Sequence, residues 1–282
     1  MAEDHYKKKF IALASDGKPR TIHFASTHNS ALKPTPDKKY IARLSVPFEN
    51  SIRIVLYSET KLGLIKSKYP GWWLPLNNTQ EYAKVSDFVT KHATTVFIRD
   101  LLPVSCALDK NFIVPEPHTT SEVEYTELGR LEYRAKYKAD EDAISQLAAK
   151  ATGFIGSTVY KKASVIIGVP ASKTGETSLP QRIAQLVANK AGLFDASNTV
   201  QWCKTKPSLK DKSMEEKWET LMSVGICVSS PDALIGKHVI LFDDLYQSGA
   251  TLNFLAGALL NVGVRLVYGL ALVKSLSNSD NM

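Results

Sequence analysis

Cysteine, histidine and long apolar runs are all scarce in this 282-residue chain. No window approaches eighteen uncharged apolar residues, which excludes a membrane-crossing helix of ordinary length. The stretch Met1–Phe10 has acids and then three lysines with no apolar segment behind them, so nothing in it resembles an export leader. The three cysteines, Cys106, Cys203 and Cys227, are odd in number and far apart. They predict free thiols in a reducing compartment rather than a disulfide framework, and with the missing leader they predict a cytoplasmic protein. Six histidines are present, the nearest two being His23 and His28. No pair has the helical spacing of a metal site, which argues against structural zinc. No internal repeat, no low-complexity tract and no G-x-x-x-x-G-K-[ST] phosphate loop is found either.

What is there is ordinary globular material. A hydrophobic share of 44% and a charged share of 22% suit a folded chain of this length with two modest cores. The net charge of +7 fits a phosphate-rich ligand or weak attraction to nucleic acid, and equally a solvated basic surface.

Along the chain the hydrophobic period changes once. Up to about residue 115, short strand-like runs alternate with turn residues: Phe10–Ala14, Arg20–Phe24, Tyr40–Val46, Ile52–Tyr57 and Phe112–Val114, with one helical pattern at Tyr82–His92. Pro115–Ser121 (PEPHTTS) reads as a connector. Beyond it, a helix is expected over Asp140–Thr152, a strand over Ser164–Val169, a helix over Pro180–Ala191, and a strand over Thr199–Cys203. A strand over His238–Phe242, a helix over Gly249–Val262 and a strand over Arg265–Val273 complete the pattern. Continuous apolar strands alternating with helices predict a parallel sheet. The expected organisation is therefore an amino-terminal β-rich (α+β) domain at 1–115 and an α/β, Rossmann-like parallel-sheet domain at 122–282.

The chemistry is concentrated in Val239–Leu252, VILFDDLYQSGATL. An apolar strand delivers Asp243 and Asp244 to its carboxyl end, where open α/β sheets place ligands. Five residues later Ser248-Gly249-Ala250-Thr251 opens a helix, so unpaired backbone N–H groups and the positive end of the helix dipole make an anion cradle. Gly249 supplies the backbone freedom such a cradle needs. Two carboxylates would repel a bare phosphate, so they must face something neutral or cationic. A ribose diol, or the magnesium that accompanies a diphosphate, meets that requirement.

This string resembles the signature of type I phosphoribosyltransferases, which bind 5-phosphoribosyl 1-diphosphate (PRPP). The resemblance implies that Asp243 and Asp244 are the catalytic pair holding the ribose hydroxyls. It further implies that Tyr246, Gln247, Ser248, Gly249, Ala250 and Thr251 wrap the 5-phosphate, and that Mg²⁺ enters with PRPP, with Asp243 and Asp244 as its nearest carboxylates. Gln247 departs from the family, which has a small or hydroxyl residue there. Within the superfamily the details are most similar to the ComF-like group, through Tyr246, the Ala135-Lys136-Tyr137 run ahead of an acidic helix, and Gly168-Val169-Pro170 after a strand. The zinc-binding cysteines that begin many such proteins are missing. By the same resemblance Pro170, Ala171, Ser172 and Lys173 form the diphosphate loop, and Lys206, Lys210 and Lys212 belong to a lid that closes over PRPP.

Near the front of the chain, the Gly71-Trp72-Trp73 element resembles the lead-in to a Nudix box, but the glutamates that would bind magnesium are absent. The resemblance implies a Mg²⁺-dependent transfer of a phosphoribosyl group to an unidentified nitrogenous acceptor. It leaves open a non-catalytic PRPP or nucleotide sensor, a ComF-like DNA-handling accessory protein, and a homodimer. The sequence identifies neither the acceptor nor the pathway.

Overall fold

The computed structural model describes residues 2–24, 32–34, 40–113 and 124–275. The expected connector at 115–121 lies outside them. The strands are β1 (Thr21–His23), β2 (Leu32–Pro34), β3 (Ala42–Val46), β4 (Ile65–Lys66), β5 (Trp72–Leu76), β6 (Val96–Ile98), β7 (Ser105–Lys110), β8 (Val165–Gly168), β9 (Phe194–Asp195), β10 (Val200–Trp202), β11 (Ile226–Val228), β12 (His238–Tyr246) and β13 (Leu266–Lys274). The α-helices are α1 (Ala2–Ala14), α2 (Ile52–Thr60), α3 (Thr79–Lys91), α4 (Glu127–Tyr137), α5 (Glu141–Ser157), α6 (Leu179–Ala191), α7 (Met214–Val224) and α8 (Ala250–Asn261).

A seven-stranded sheet in the order β1-β6-β7-β13-β12-β8-β9 forms the centre. The β7, β13, β12, β8 and β9 neighbours are all parallel, and β6 runs antiparallel to both β7 and β1. The apolar run of β12 serves both faces, as side chains of a strand alternate. Ile240 and Phe242 join the cluster holding Leu131, Ile144, Leu147 and Ile183 of α4, α5 and α6. Val239 and Leu241 join the one holding Phe10, Trp218, Leu221 and Leu255 of α1, α7 and α8. This two-sided burial is why the strand carries no polar alternation.

The expected boundary near residue 115 does not divide the described structure. β7 pairs with β13 in parallel, Leu270 opposite Cys106, and one hydrophobic cluster contains both Leu44 and Leu56 from the front of the chain and Leu147 and Leu270 from the back. Exposing either half alone would uncover that shared core. The front also contributes a separate four-stranded antiparallel sheet, β2-β3-β5-β4.

Two runs read as strands are helices. Ile52–Tyr57 lies in α2, where Ile52, Val55 and Leu56 are buried while Ile54 and Tyr57 are exposed; the i, i+3, i+4 spacing of the buried positions outweighs β-branched propensity. Phe10–Ala14 closes α1, whose Phe10 ring packs 5.3 Å from that of Trp218. Of Phe112–Val114, Phe112 makes an isolated bridge to Tyr125, and Val114 lies outside the described residues. The helix expected over Asp140–Thr152 begins on Asp140, whose carboxylate accepts from Ala143 N at 3.1 Å, with Glu141 and Asp142 in the first turn.

The expectation of three free thiols is also corrected. Cys203 and Cys227 are joined in a disulfide across 24 residues, their Cα atoms 5.2 Å apart, while Cys106 stays free and buried. The antiparallel pairing of β10 with β11, Trp202 opposite Ile226, brings the two cysteines together. No spacing rule in the sequence announces such a pair, and the pairing removes the argument from free thiols for a reducing compartment. No helix among the described residues is long and apolar enough to cross a membrane.

Closing a loop of 24 residues restricts the unfolded chain by about 3 kcal/mol. Urea unfolding of Cys203→Ser/Cys227→Ser should therefore show a stability lower by about that amount, and dithiothreitol should destabilise the parent chain but not the variant.

Candidate functional site

At the carboxyl edge of the sheet a cavity of about 780 Å³ opens between β12, α8 and the loops that follow β8 and β10. Its floor is the end of β12. The strand runs to Tyr246, four residues beyond its expected end, so Asp243 and Asp244 are part of the ladder, Asp243 pairing with Ala271 of β13. Neighbouring side chains on a strand point to opposite faces, and the two carboxylates accordingly have different surroundings. Asp244 is buried and accepts from Lys136 Nζ of α4 at 2.6 Å. Asp243 is only partly covered at its surface, but burial and then the adjacent Asp244 charge hold its carboxyl well above the ordinary carboxylate range.

Lys136 also lies 3.5 Å from Glu132. Burial works against its ammonium, but Asp244, Glu132 and Asp243 outweigh that, and its pKa rises above the usual lysine value. Glu132 is raised to about 7, by burial first and then by repulsion from Asp244, with Lys136 partly offsetting both.

From Gln247 to Gly249 the chain turns into α8. Gly249 adopts φ +85°, and a Cβ there would run into the Tyr246 hydroxyl; only glycine fits the conformation and the space. Below the turn the Tyr246 hydroxyl donates to Asp100 at 3.0 Å, Asn253 donates to Gly249 O at 3.0 Å, and an Arg20 guanidinium N–H donates to Ser248 O at 3.2 Å. Asp100, Tyr246 and Asn253 are all buried, so they make a rigid underside for the loop. The capping position of α8 is Gly249, which has no side chain; the Ala250 N–H donates to Ser248 Oγ at a long 3.4 Å, and Ala250 and Thr251 face the cavity. That helix end is an anion site by backbone geometry and dipole.

The opposite wall is the loop after β8. Val169, Pro170, Ala171 and Ser172 line the cavity. Gly168 allows this loop to start close to α6: a Cβ there would stand 2.5 Å from the Gln181 backbone. Lys173 does not line the cavity. Its side chain is 70% exposed and lies 3.4 Å from Glu176, so the structure does not bring it to the others.

Lys206 and Lys210 of the expected lid line the cavity and Lys212 does not. The Lys206 backbone N–H donates to Ser172 O at 2.7 Å, tying the segment to the loop after β8. The Lys206 ammonium lies 5.4 Å from the centre of the Trp202 ring, and the Trp202 indole donates to Pro170 O at 3.3 Å. Burial lowers the pKa of Lys206, with Asp243 and Asp244 partly restoring it. The disulfide Cys203–Cys227 sits immediately ahead of this segment.

Sequence reasoning missed Lys136, Arg182 and Lys217, which all line the cavity. α4 and α7 were not foreseen as elements, so no pattern placed Lys136 and Lys217 beside β12; Arg182 lies in the expected helix α6, but only the packing of that helix turns it toward the cavity. The acidic first turn behind Ala135-Lys136-Tyr137 was the available signal.

A parallel strand ending in two aspartates, joined by a tight loop to the start of a helix, is the arrangement in which this chain resembles type I phosphoribosyltransferases. Its sequence is similar to that of a ComF-type protein. It is 28% identical over 130 residues to competence protein ComFC of Bacillus subtilis (strain 168), an alignment covering 46% of this chain and 52% of that one. The chain thus spans about half the length of this curated relative. No family model matches it. Solved structures similar to it include a purine phosphoribosyltransferase from Pyrococcus horikoshii Ot3, with 17% identity, a TM-score of 0.30, and 49% of this chain and 78% of that chain covered. Another is the hypoxanthine phosphoribosyl transferase of Trypanosoma cruzi, with 11% identity, a TM-score of 0.31, and 60% and 74% covered. Overlays this loose add no weight beyond the motif and the sequence match.

The buried carboxyl beside Lys136 gives a stability test. Glu132 holds its proton more tightly in the folded protein than its ordinary value of 4.5 allows in the unfolded chain, so the cost of ionising it appears as pH rises from there through about 7. Thermal unfolding should find Glu132→Gln more stable than the parent at pH 8 by about 3 kcal/mol, an advantage shrinking by about 2 kcal/mol at pH 5.

Proposed function

We propose that the cavity binds PRPP with Mg²⁺ and that the chain transfers its phosphoribosyl group to a nitrogenous acceptor, releasing diphosphate. The observation that carries this reading is the coexistence, in one cavity, of the amino end of α8 and two carboxylates six and seven residues before its first residue. The helix end suits the 5-phosphate, and Asp243 and Asp244 suit the ribose hydroxyls as acceptors. The surrounding cations Lys136, Arg182, Lys206, Lys210 and Lys217 favour a polyanion overall.

The residues fit a ligand-borne magnesium. Among the described residues no group of three or more His, Cys, Asp or Glu could hold a metal by themselves. Two aspartates beside a diphosphate are the usual complement for Mg²⁺, which keeps water and phosphate oxygens for its other positions. Asp243 and Asp244 would hold it, and it would supply neutralisation of the diphosphate.

In the reaction the bond between ribose C1 and the diphosphate oxygen breaks, that oxygen keeps the electron pair, and the acceptor nitrogen forms the new bond to C1. The chain's contribution is positioning and charge stabilisation, with no covalent nucleophile required. Asp243 and Asp244 fix the sugar, and Gln247–Thr251 fix the phosphate through backbone N–H groups. The backbone of Ala171–Ser172 faces the leaving group. Lys206, already tied to Ser172, brings positive charge to the same side and shields the sugar from water.

A second reading, a sensor that binds PRPP without turning it over, is favoured by the Lys136–Asp244 ion pair. That pair engages one of the two carboxylates before any ligand arrives.

Isothermal titration of PRPP with Mg²⁺ tests binding, and diphosphate release in the presence of candidate bases tests turnover. Micromolar affinity weakened at least a hundredfold by Asp243→Asn/Asp244→Asn is expected. A parent chain that takes up no heat from PRPP at millimolar concentration would remove both readings, and binding with no release on any acceptor would leave the sensor.

A further inference from the structure

A second cavity, of about 1000 Å³, lies away from the first, between β1 and the small sheet β2-β3-β5-β4. Four cations from three separate parts of the chain face it: Arg43 of β3, Lys66 and Lys68 at and beyond the end of β4, and Lys110 at the end of β7. Among the described residues none of these four is held in an ion pair, and no Asp or Glu lines the cavity. Elsewhere in the fold cations are commonly paired, as in Lys91–Glu59, Arg99–Asp16, Arg134–Asp140 and Arg182–Glu141. Asp109 acts on Lys110 from the neighbouring position, but like charges sharing one concavity still repel one another, and the concave low-dielectric wall focuses their field. Such an arrangement is relieved by an anion.

The same walls carry aromatic rings. Trp72 and Trp73 of β5 are half-buried and Tyr69 is 81% exposed. The turn holding Tyr69 is built to stay where it is: Gly71 has φ +115°, and a Cβ there would lie 2.9 Å from Val46 O, so the turn packs directly against β3. Trp73 is braced edge-on by Tyr40, ring centres 5.6 Å apart. Trp72 shares the core-facing side of the sheet with Val46 and Trp73 the opposite side with Ser45, so the exposed Tyr69 and the half-buried Trp73 offer ring faces, and the cations offer charge for phosphates. Lys110 is partly buried, and burial lowers its pKa, with Asp109 partly offsetting; an anion in contact would favour its charged form.

From this arrangement we infer that the second cavity is a binding site for a nucleoside polyphosphate, its base against Tyr69 and Trp73 and its phosphates among Arg43, Lys66, Lys68 and Lys110. The positive charge of these four side chains suits the negative charge of a triphosphate. The site stands on different residues from the PRPP reading and does not rest on it. Lys110, which lines the second cavity, is in register with Lys274 and Tyr246 on adjacent parallel strands, so both cavities open at the same edge of the sheet.

The test is calorimetric titration of ATP into the full chain at moderate salt. Saturable one-to-one binding is expected, weakened at least tenfold in Lys66→Ala/Lys110→Ala, retained in Lys66→Arg/Lys110→Arg, weakened several-fold in the surface variant Tyr69→Ala, and unchanged in Asp243→Asn/Asp244→Asn. Circular dichroism confirms that each variant is folded. Loss of binding in the aspartate variant with none in the lysine variant would place the nucleotide in the first cavity and overturn the inference. So would inorganic tripolyphosphate binding as tightly as ATP, which would leave the rings without a role, or a ten-nucleotide single strand binding where ATP does not, which would make the ligand a nucleic acid.

Discussion

Two adjacent carboxylates at the end of a strand buried on both faces are an electrostatic problem, and much of the molecule around them is arranged as its answer. Asp244 is satisfied by Lys136; Asp243 is left with its charge disfavoured by burial and by its neighbour. The Asp244 backbone N–H, which donates to Asp243 at 3.0 Å, and the charge of Lys136 offset only part of that cost. It is tolerated because the rest of β12 is apolar and locked between β13 and β8. The cations that line the cavity come from α4, α6, α7 and the segment after β10, so the charge balance of the site depends on helices packed on both faces of the sheet.

Rigidity is distributed unevenly around that pair. The underside of the Gln247–Gly249 turn is a buried network of Asp100, Tyr246 and Asn253, which fixes the backbone N–H groups in advance of any ligand. Asp100 belongs to the front of the chain and Asn253 to the back, so the shape of this turn depends on both halves being folded together. The opposite side is held mainly through backbone carbonyls: Lys206 N–H donates to Ser172 O, the Trp202 indole to Pro170 O and the Ser178 hydroxyl to Val169 O, with the Lys206 ammonium over the Trp202 ring. A turn fixed from beneath, facing a loop held at its carbonyls, is the division of labour expected where a ligand must enter and then be shielded.

The extended sheet gives the front of the chain a structural role that its sequence hid. By adding β6 and β7 beyond β13, the front half widens the ligand-bearing edge of the sheet and places a basic, aromatic cavity along it. Its strands are short, and three residues of β1 or β6 cannot show a period. Their pairing partners lie far away along the chain, which is why a boundary was expected where the sheet is in fact continuous.

The sequence by itself determined the elements whose residues answer to local rules. VILFDDLY demanded a buried strand ending in acids, Ser248-Gly249-Ala250-Thr251 demanded a turn into a helix, and Asp140 with two following acids demanded a helix start. These follow from burial period, glycine's dihedral freedom and the helix dipole, all local to the segment. Tertiary structure alone decided that Ile52–Tyr57 coils instead of extending, that Cys203 meets Cys227, that Lys136 reaches Asp244 and Lys173 does not join them, and that the halves share one core. Each of those outcomes depends on contacts between residues far apart in the chain, and long-range packing free energy outweighs the few tenths of a kcal/mol per residue that local propensity supplies.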